Sequence, residues 1–279
     1  MQLDNLSKEE LILIIKKLEK RMELQEKFLL NVSHDLRSPI NTILSILQSL
    51  KYIDNDKYAD DKINEYRAMI KRNSYKMMKL VDNLIDTTKI EEKYYNLNKQ
   101  AIDVVSLIEN TILSMDKYAK QKSIELIFDT NEEEAIVLLD PEAIDRIIVN
   151  LVSNAIKFSP KDSTVMTNLY VDENTIKIVV KDNGPGIAEE DQKAIFNRFM
   201  QSQKNKESSN EGSGIGLDLV SNLVKLHNGN ITLNSTVGVG SEFIISIPKI
   251  SASVIQKSYK ALSYDKVQQL EIEFSDIYL

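Results

Sequence analysis

His34 lies in the run FLLNVSHDLRSPI and is one of two histidines in the chain. An unpaired imidazole near pKa ~6.5 is among the few helical side chains able to act as a nucleophile at neutral pH. Taken alone, a lone helical histidine is more often a solvated surface residue. Asn150 and Asn154 stand one helical turn apart in NLVSNAIKF (150–158), with Lys157 and Phe158 near that face. Their amide oxygens suit Mg²⁺, a hard cation that mostly coordinates water and phosphate oxygens, and Lys157 offers a point charge for phosphate. The same pattern also fits an ordinary amphipathic helix. Asp182-Asn183-Gly184-Pro185-Gly186 closes the run TIKIVVKD. A carboxylate at a strand end can accept a hydrogen bond from an adenine amino group, with glycines letting the backbone approach the ring; the sequence would also make a plain turn.

GSGIGL (212–217) adds a glycine cluster, yet it follows the polar run QSQKNKESSNE (201–211) rather than a strand, so a dinucleotide fingerprint is a poor reading. No G-x-x-x-x-G-K-[ST] run occurs, which excludes a P-loop. Alone, the cluster reads as a flexible loop.

The elements that must position these residues follow from periodicity. Ser7-Lys8-Glu9-Glu10 reads as a capping box at a helix start. Ile15, Met22, Leu29, Leu36, Ile43 and Leu50 then form one heptad row. Leu11, Leu18, Val32 and Ile46 form the matching row, with Gln25 and Pro39 as its exceptions. Ile40 and Leu47 widen the stripe, which suits a bundle better than a two-stranded coil. His34 falls on the face opposite the seam. Pro39 removes a helical hydrogen bond and is expected to bend the helix. DNDK (54–57) ends it, and Ile63, Tyr66, Ile70, Met77, Leu80 and Leu84 mark a second helix fading near 91–99. Two such helices cannot bury their stripes unaided, whereas dimerisation into a four-helix bundle does so. From about residue 100, strand-like runs at 123–129, 175–182 and 242–248 mix with helical ones at 105–122, 143–158 and 214–227, predicting an α/β sandwich. In the tail VQQLEIEFSDIYL (267–279), Leu270, Ile272 and Phe274 alternate with polar residues, predicting a strand docked onto the same chain.

At 279 residues, two domains are expected. The net charge of −7 gives no basic footprint for nucleic acid. Zero cysteines exclude disulfides and thiol chemistry. The longest apolar stretch near the start, LILII (11–15), is far short of the ~20 residues that span a bilayer, and the acidic MQLDNLSKEE is no signal peptide. As written, the chain is expected to be soluble and cytoplasmic, with any membrane attachment in a missing region upstream of Met1.

Five motifs together carry a family resemblance. FLLNVSHDLRSPI resembles the H box of sensor histidine kinases, DRIIVNLVSNAIKFSP their N box, DNGPGI their G1 box, IFNRF (195–199) their F box and EGSGIGL their G2 box, in the family's order. NGNITLNSTVGVGSEFIISIP (228–248) looks like the family's closing hairpin, so the resemblance covers about 26–250. It implies an α+β chain: a helical hairpin forming a dimeric four-helix bundle, followed by a Bergerat-type α/β sandwich. The expected domains are an N-terminal coiled-coil or linker helix (1–25), a dimerisation and histidine phosphotransfer domain (26–98), a catalytic ATP-binding domain (99–250) and a C-terminal extension (251–279).

The resemblance also implies roles. Asp182 would hold adenine in a pocket shaped by Gly184 and Gly186, with Ile187 beside them; Asn154 would bind Mg²⁺. Asn150, Lys157 and Phe158 would lie at the nucleotide, and Gly212, Gly214, Ile215, Gly216 and Leu217 at the phosphate lid, whose helix start adds N–H donors. Residues 200–211 would be the lid's mobile part, with Phe196 and Phe199 packing it. His227, at a helix end, reads as a residue favoured by the helix dipole rather than a catalyst. His34 would attack the γ-phosphorus of ATP, Asp35 orienting the ring and accepting its proton, and Arg37 stabilising the transferred group. The phosphoryl group would then pass to an aspartate of a response regulator receiver domain.

Three features depart from the family. Ser38 stands where these kinases typically carry the Thr or Asn that positions a water for regulator dephosphorylation, only 33 residues precede His34, and 251–279 extend past the usual end. A non-catalytic scaffold or another GHKL-type ATPase are the alternatives. Acid-labile, base-stable labelling from ATP separates all three, while the signal, the cognate regulator and cis or trans transfer are not written in these residues.

Overall fold

The computed structural model describes residues 7–51, 59–197, 214–250 and 264–276. Helices α1 (Lys8–Leu50) and α2 (Ala59–Glu91) form an antiparallel hairpin. At the start of α1 the Ser7 carbonyl accepts from the Leu11 N–H at 3.0 Å. The helix runs unbroken through Pro39, whose ring has no N–H to offer the carbonyl one turn back. Pro39 and Ile46, both on the second heptad row, are buried. The DNDK stretch lies outside the described residues. Much of the apolar surface stays open. Ile15 and Leu29 are more than half exposed, and Ile40, Leu44 and Leu47 on α1 and Met78, Val81 and Ile85 on α2 are also exposed.

The rest is an α/β domain. Strands β2 (Glu125–Thr130), β4 (Thr164–Val171), β5 (Thr175–Asp182), β7 (Gly240–Pro248) and β6 (Asn230–Thr236) form one sheet in the order β2-β4-β5-β7-β6, parallel at β2/β4 and antiparallel elsewhere. A separate antiparallel pair joins β1 (Gln100–Asp103) to β3 (Ile136–Leu139). Residues of β4 and β5 alternate between buried and exposed, as expected when one face takes the core and the other meets water. Helices α3 (Val104–Gln121), α4 (Pro141–Phe158) and α6 (Gly216–Leu226) cover the buried face, with α4 between the other two, and a single-turn helix α5 (Glu189–Gln192) follows β5. The core runs through Ile108, Ile144, Ile148, Ile156, Leu169, Ile178 and Val224, all fully buried.

Polar side chains fix the helix ends. Asp103 caps α3 by accepting from Val105 and Ser106 N–H, and it also takes the Ala135 N–H. Asp140 caps α4 by accepting from Glu142 and Ala143 N–H, with Pro141 at the first turn. At the other end of α4, the Lys122 ammonium donates to the carbonyls of Ile156, Lys157 and Ser159 at 2.9, 2.7 and 2.8 Å. Burial lowers the Lys122 pKa, a cost offset by satisfying carbonyls that a helix end leaves orphaned.

Two expectations are corrected. His227 does end α6, but not as a dipole-stabilised cation. It is buried, its Nδ1 bonds the Leu223 carbonyl at 2.9 Å, and its Nε2 accepts the Asp140 N–H at 3.3 Å. Those two bonds describe a neutral ring, and burial lowers its pKa accordingly.

The tail is not a strand. It forms helix α7 (Tyr264–Glu273) and a 3-10 turn (Phe274–Asp276). Leu270 and Phe274 are four residues apart and so share a helical face as readily as a strand face; they are 3% and 1% exposed, while Ile272 is only half buried. A helix closes its own backbone bonds and needs no sheet edge. The expected docking onto the α/β domain does occur, with Phe274 stacked on Tyr118 of α3 at 4.2 Å, but the segment also packs against α2.

His227 should impose an acid limit on stability. Folding depresses its proton affinity, so the unfolded chain binds the extra proton as pH falls below 6.5, and stability present above that value is lost beneath it. The urea midpoint should fall between about pH 7 and about pH 5, and His227→Gln should flatten that slope. Equal slopes in both chains would assign the acid sensitivity elsewhere.

Candidate functional site

The glycines show how the α/β domain assembles a cleft. Asp182 ends β5 in register with Ser241 of β7. Its Oδ1 accepts the Gly184 N–H at 2.7 Å and the Ser241 N–H at 3.2 Å, which leaves Oδ2 without a protein donor among the described residues. Burial raises the Asp182 pKa, and the two N–H bonds oppose that rise. A Cβ on Gly184 would sit 2.8 Å from Asp182 Oδ1 and 3.3 Å from the Phe158 carbonyl oxygen, so this glycine joins the end of β5 to the end of α4. Gly186 has φ +69°, and any side chain there would collide with the Thr236 carbonyl. Ile187 follows, donating its N–H to Ser235 Oγ at 2.8 Å and packing on the core.

On α4, Asn150 is 5% exposed and donates through Nδ2 to the Arg146 carbonyl at 2.9 Å. A Cβ on Gly216 would lie 2.6 Å from Asn150 Oδ1. The start of α6 therefore abuts the Asn150 amide, which a side chain at position 216 would have to displace. Gly214 takes φ +66°, Ile215 is buried and Leu217 packs on the core. Asn154 is half-buried one turn beyond Asn150. Lys157 is buried, its ammonium 5.5 Å from the half-buried Phe158 ring. Phe196 meets Phe243 edge-on at 6.3 Å. Gly212, Phe199 and 200–211 lie outside the described residues.

His34 is in a different place. On α1 its side chain is 81% exposed, and Nδ1 faces Asp35 Oδ1 at 3.4 Å. Arg37 and Ser38 are also exposed, and the Ser38 carbonyl accepts from Thr42 Oγ1 at 3.1 Å. The structure thus brings Asp182 and Gly184 to Phe158 at the end of α4 and Gly216 to Asn150 on the same helix, while His34 and its neighbours lie on the hairpin.

Three contributors are not apparent from the sequence motifs. Gly240, at φ +138°, lets β7 approach the Asp182 carbonyl where any side chain would collide, and Ser241 supplies a donor to Asp182. The glycine-rich turn VGVGSEF carries that signal. Arg146 of α4 pairs with Asp86 of α2 and approaches Asn83 Oδ1 at 3.5 Å, linking the cleft helix to the hairpin. Together with Asn150 it lines a cavity of about 760 Å³ between α2, α4 and α7.

Comparison with known proteins agrees with this division. Residues 24–93 match the His Kinase A (phospho-acceptor) domain, and residues 139–251 match the histidine kinase-, DNA gyrase B-, and HSP90-like ATPase domain. The sensor protein EvgS of Escherichia coli K12 is 31% identical over 243 residues, 85% of this chain and 20% of EvgS. The chain thus spans about a fifth of that relative. Full-length ShkA, solved with AMPPNP, shares the fold with TM-score 0.61 at 23% identity, covering 82% of this chain and 47% of ShkA. Histidine kinase ThkA, solved in complex with the response regulator protein TrrA, does so with TM-score 0.63 at 20% identity, covering 88% of this chain and 68% of that one.

The Asp182 carboxylate carries a burial penalty that an amide would not. Its raised pKa means the folded state holds a proton more tightly, so stability is full below the ordinary value near 3.8 and is lost as pH rises through the folded value. An asparagine in its place can keep both N–H bonds through its carbonyl oxygen. Asp182→Asn should therefore melt about 1–3 °C higher at neutral pH, the difference closing in acid. A substantially lower melting temperature would mean that the charge itself holds the turn.

Proposed function

Because the chain belongs to the sensor histidine kinases, we propose that it moves the γ-phosphoryl group of ATP onto its own His34 and then to an aspartate of a response regulator receiver domain. The observation that carries this reading is Asp182, with Oδ1 committed to two backbone donors and Oδ2 left to accept from a ligand amino group. In this reading Oδ2 takes the adenine amino hydrogen, and Gly184 and Gly186 let the ring lie against the backbone. Asn150, Gly214 and Gly216 hold the phosphates where α6 begins, its free N–H groups facing an anion. Lys157 adds a positive charge, and Phe158, Ile187, Ile215 and Leu217 form apolar wall.

The residues present fit a magnesium ion carried with the nucleotide. The half-buried Asn154 amide oxygen would hold such a hard cation beside the phosphates. Bound there, the ion would supply positive charge to neutralise the phosphates. On α1, Asp35 takes the Nδ1 hydrogen of His34, which fixes the tautomer that leaves a lone pair on Nε2. Nε2 attacks the γ-phosphorus in line, an N–P bond forms, the bond to the bridging oxygen breaks and ADP leaves. Asp35 accepts the proton as the imidazole gives up its hydrogen, and Arg37 steadies the transferring group. Most of the rate comes from positioning and electrostatics.

The exposed apolar faces of α1 and α2 support a homodimer closing into a four-helix bundle. The regulator-bound ThkA structure supports a receiver domain as partner. We place the region in the cytoplasm, where ATP is available to the reaction; among the described residues no helix is long and apolar enough to cross a membrane.

Two substitutions test the reading. His34→Gln should leave nucleotide binding intact and abolish label incorporation from γ-labelled ATP; labelling that persists would move the acceptor to another residue. Asn154→Ala should keep a near-native melt without nucleotide but lose most of the upward shift given by Mg²⁺–ATP. Gross unfolding of that variant would make Asn154 a structural residue instead.

A further inference from the structure

Residues 264–276 are built into both halves of the molecule. Toward the α/β domain, Phe274 stacks on Tyr118, Leu270 and Phe274 join the core, and the Lys266 ammonium pairs with Asp145 of α4 at 2.6 Å. Toward the hairpin, Glu271 pairs with Lys71 at 2.8 Å and accepts from Tyr75 Oη at 3.1 Å. Glu273 does both at once. Its Oε1 accepts from Ser153 Oγ of α4 at 2.6 Å and lies 3.2 Å from Lys79 Nζ of α2, while Lys79 also donates to the Glu273 carbonyl at 2.9 Å. Both side chains of the Lys79–Glu273 pair are largely covered, 19% and 12% exposed. Screening therefore weakens that pair less than a surface one.

The hairpin contacts fall at a telling level. Lys71, Tyr75 and Lys79 are successive i, i+4 positions and form one row on α2. His34 precedes Leu50 by the same interval that separates Tyr75 from Ala59, and ~1.5 Å per residue places both about 24 Å from the hairpin end. The row gripped by α7 and its 3-10 turn is thus level with the acceptor. Lys71, Tyr75, Lys79, Asn83 and Asp86, all on α2, carry polar links from the hairpin to the α/β domain or the tail. His34, on the other helix, stays open to solvent.

We propose that residues 264–276 are an intramolecular strap that holds the catalytic domain on α2 and restrains phosphoryl transfer until it is released. The proposal rests on the kinase reading above. Ser153 lies between the strap's carboxylate and Asn154, the next residue, so the strap grips the helix that also carries the nucleotide ligands. In the strapped arrangement that helix is tied to α2, and the acceptor on α1 is left uncovered. Release lets the domain carry its nucleotide to an acceptor.

Charge reversal tests this on the full chain. Lys71→Glu with Lys79→Glu places like charges opposite Glu271 and Glu273; Glu271→Lys with Glu273→Lys does the same from the strap side; all four together restore opposite charges. Hydrogen exchange across 264–276 reads docking, and initial label incorporation at saturating Mg²⁺–ATP reads transfer. Each double variant should lose protection over the strap and gain rate by about fivefold or more, within the range of ordinary coupling between sites. The quadruple variant should recover protection and the slow rate. Lost protection with an equal or slower rate overturns the restraint, and retained protection in both doubles overturns the role of these pairs. Label absent from the unmodified chain and every variant overturns the kinase reading itself, a result distinct from equal rates.

Discussion

Helix α4 is the constraint on which the other parts depend, because three of its faces are committed to different neighbours. Its apolar face is buried between α3 and α6, with Ile144, Ile147, Ile148, Val152 and Ile156 at zero exposure. Asn150 meets the start of α6 at Gly216. Arg146 and Ser153 turn toward the hairpin and the tail. A helix used in this way cannot slide or rotate without breaking one of the three, and both its ends are held. Asp140 fixes the first turn and in turn receives the Asn98 N–H, which ties in the linker from α2. Lys122 fixes the last turn. Losing either would loosen the cleft and the interdomain contact together.

The close approaches of backbone to backbone were legible because only glycine permits them. Gly186 meets the Thr236 backbone in this way, while Gly184 and Gly216, in the neighbouring motifs, meet the Asp182 and Asn150 side chains. The strand of 175–182 and the helices of 105–122 and 143–158 were readable from periodicity to within two residues. Pairwise choices made at a distance were not. Nothing local marks Lys122 as the cap of a helix whose last residues lie more than thirty positions on, or Asp86 as the partner of Arg146. His227 was placed correctly at a helix end but misjudged in charge, since the deciding bond comes from the Asp140 N–H.

The tail shows the limit of periodicity in a short segment. Leu270, Ile272 and Phe274 satisfy period two, while Leu270 and Phe274 alone satisfy a helical turn. What decides between them is the receiving surface: an apolar site at Tyr118 with lysines of α2 on the other side. A helix presents apolar and acidic faces in different directions at once, whereas a strand would have faced its acids opposite to its apolar residues and required an open sheet edge.

The acceptor and the cleft are separate by construction, one on a solvent-facing helix of the hairpin and the other in the α/β domain. Their chemical connection is read by mapping the site of the transferred phosphoryl group. After incubation with Mg²⁺–ATP, the chain should be digested and its peptides resolved under neutral-to-alkaline conditions that preserve phosphoramidates. A single modified peptide containing His34 is expected, its phosphoryl group stable to base and released by acid. A phosphoryl group on a hydroxyl or carboxylate side chain, or on a peptide lacking His34, would contradict it.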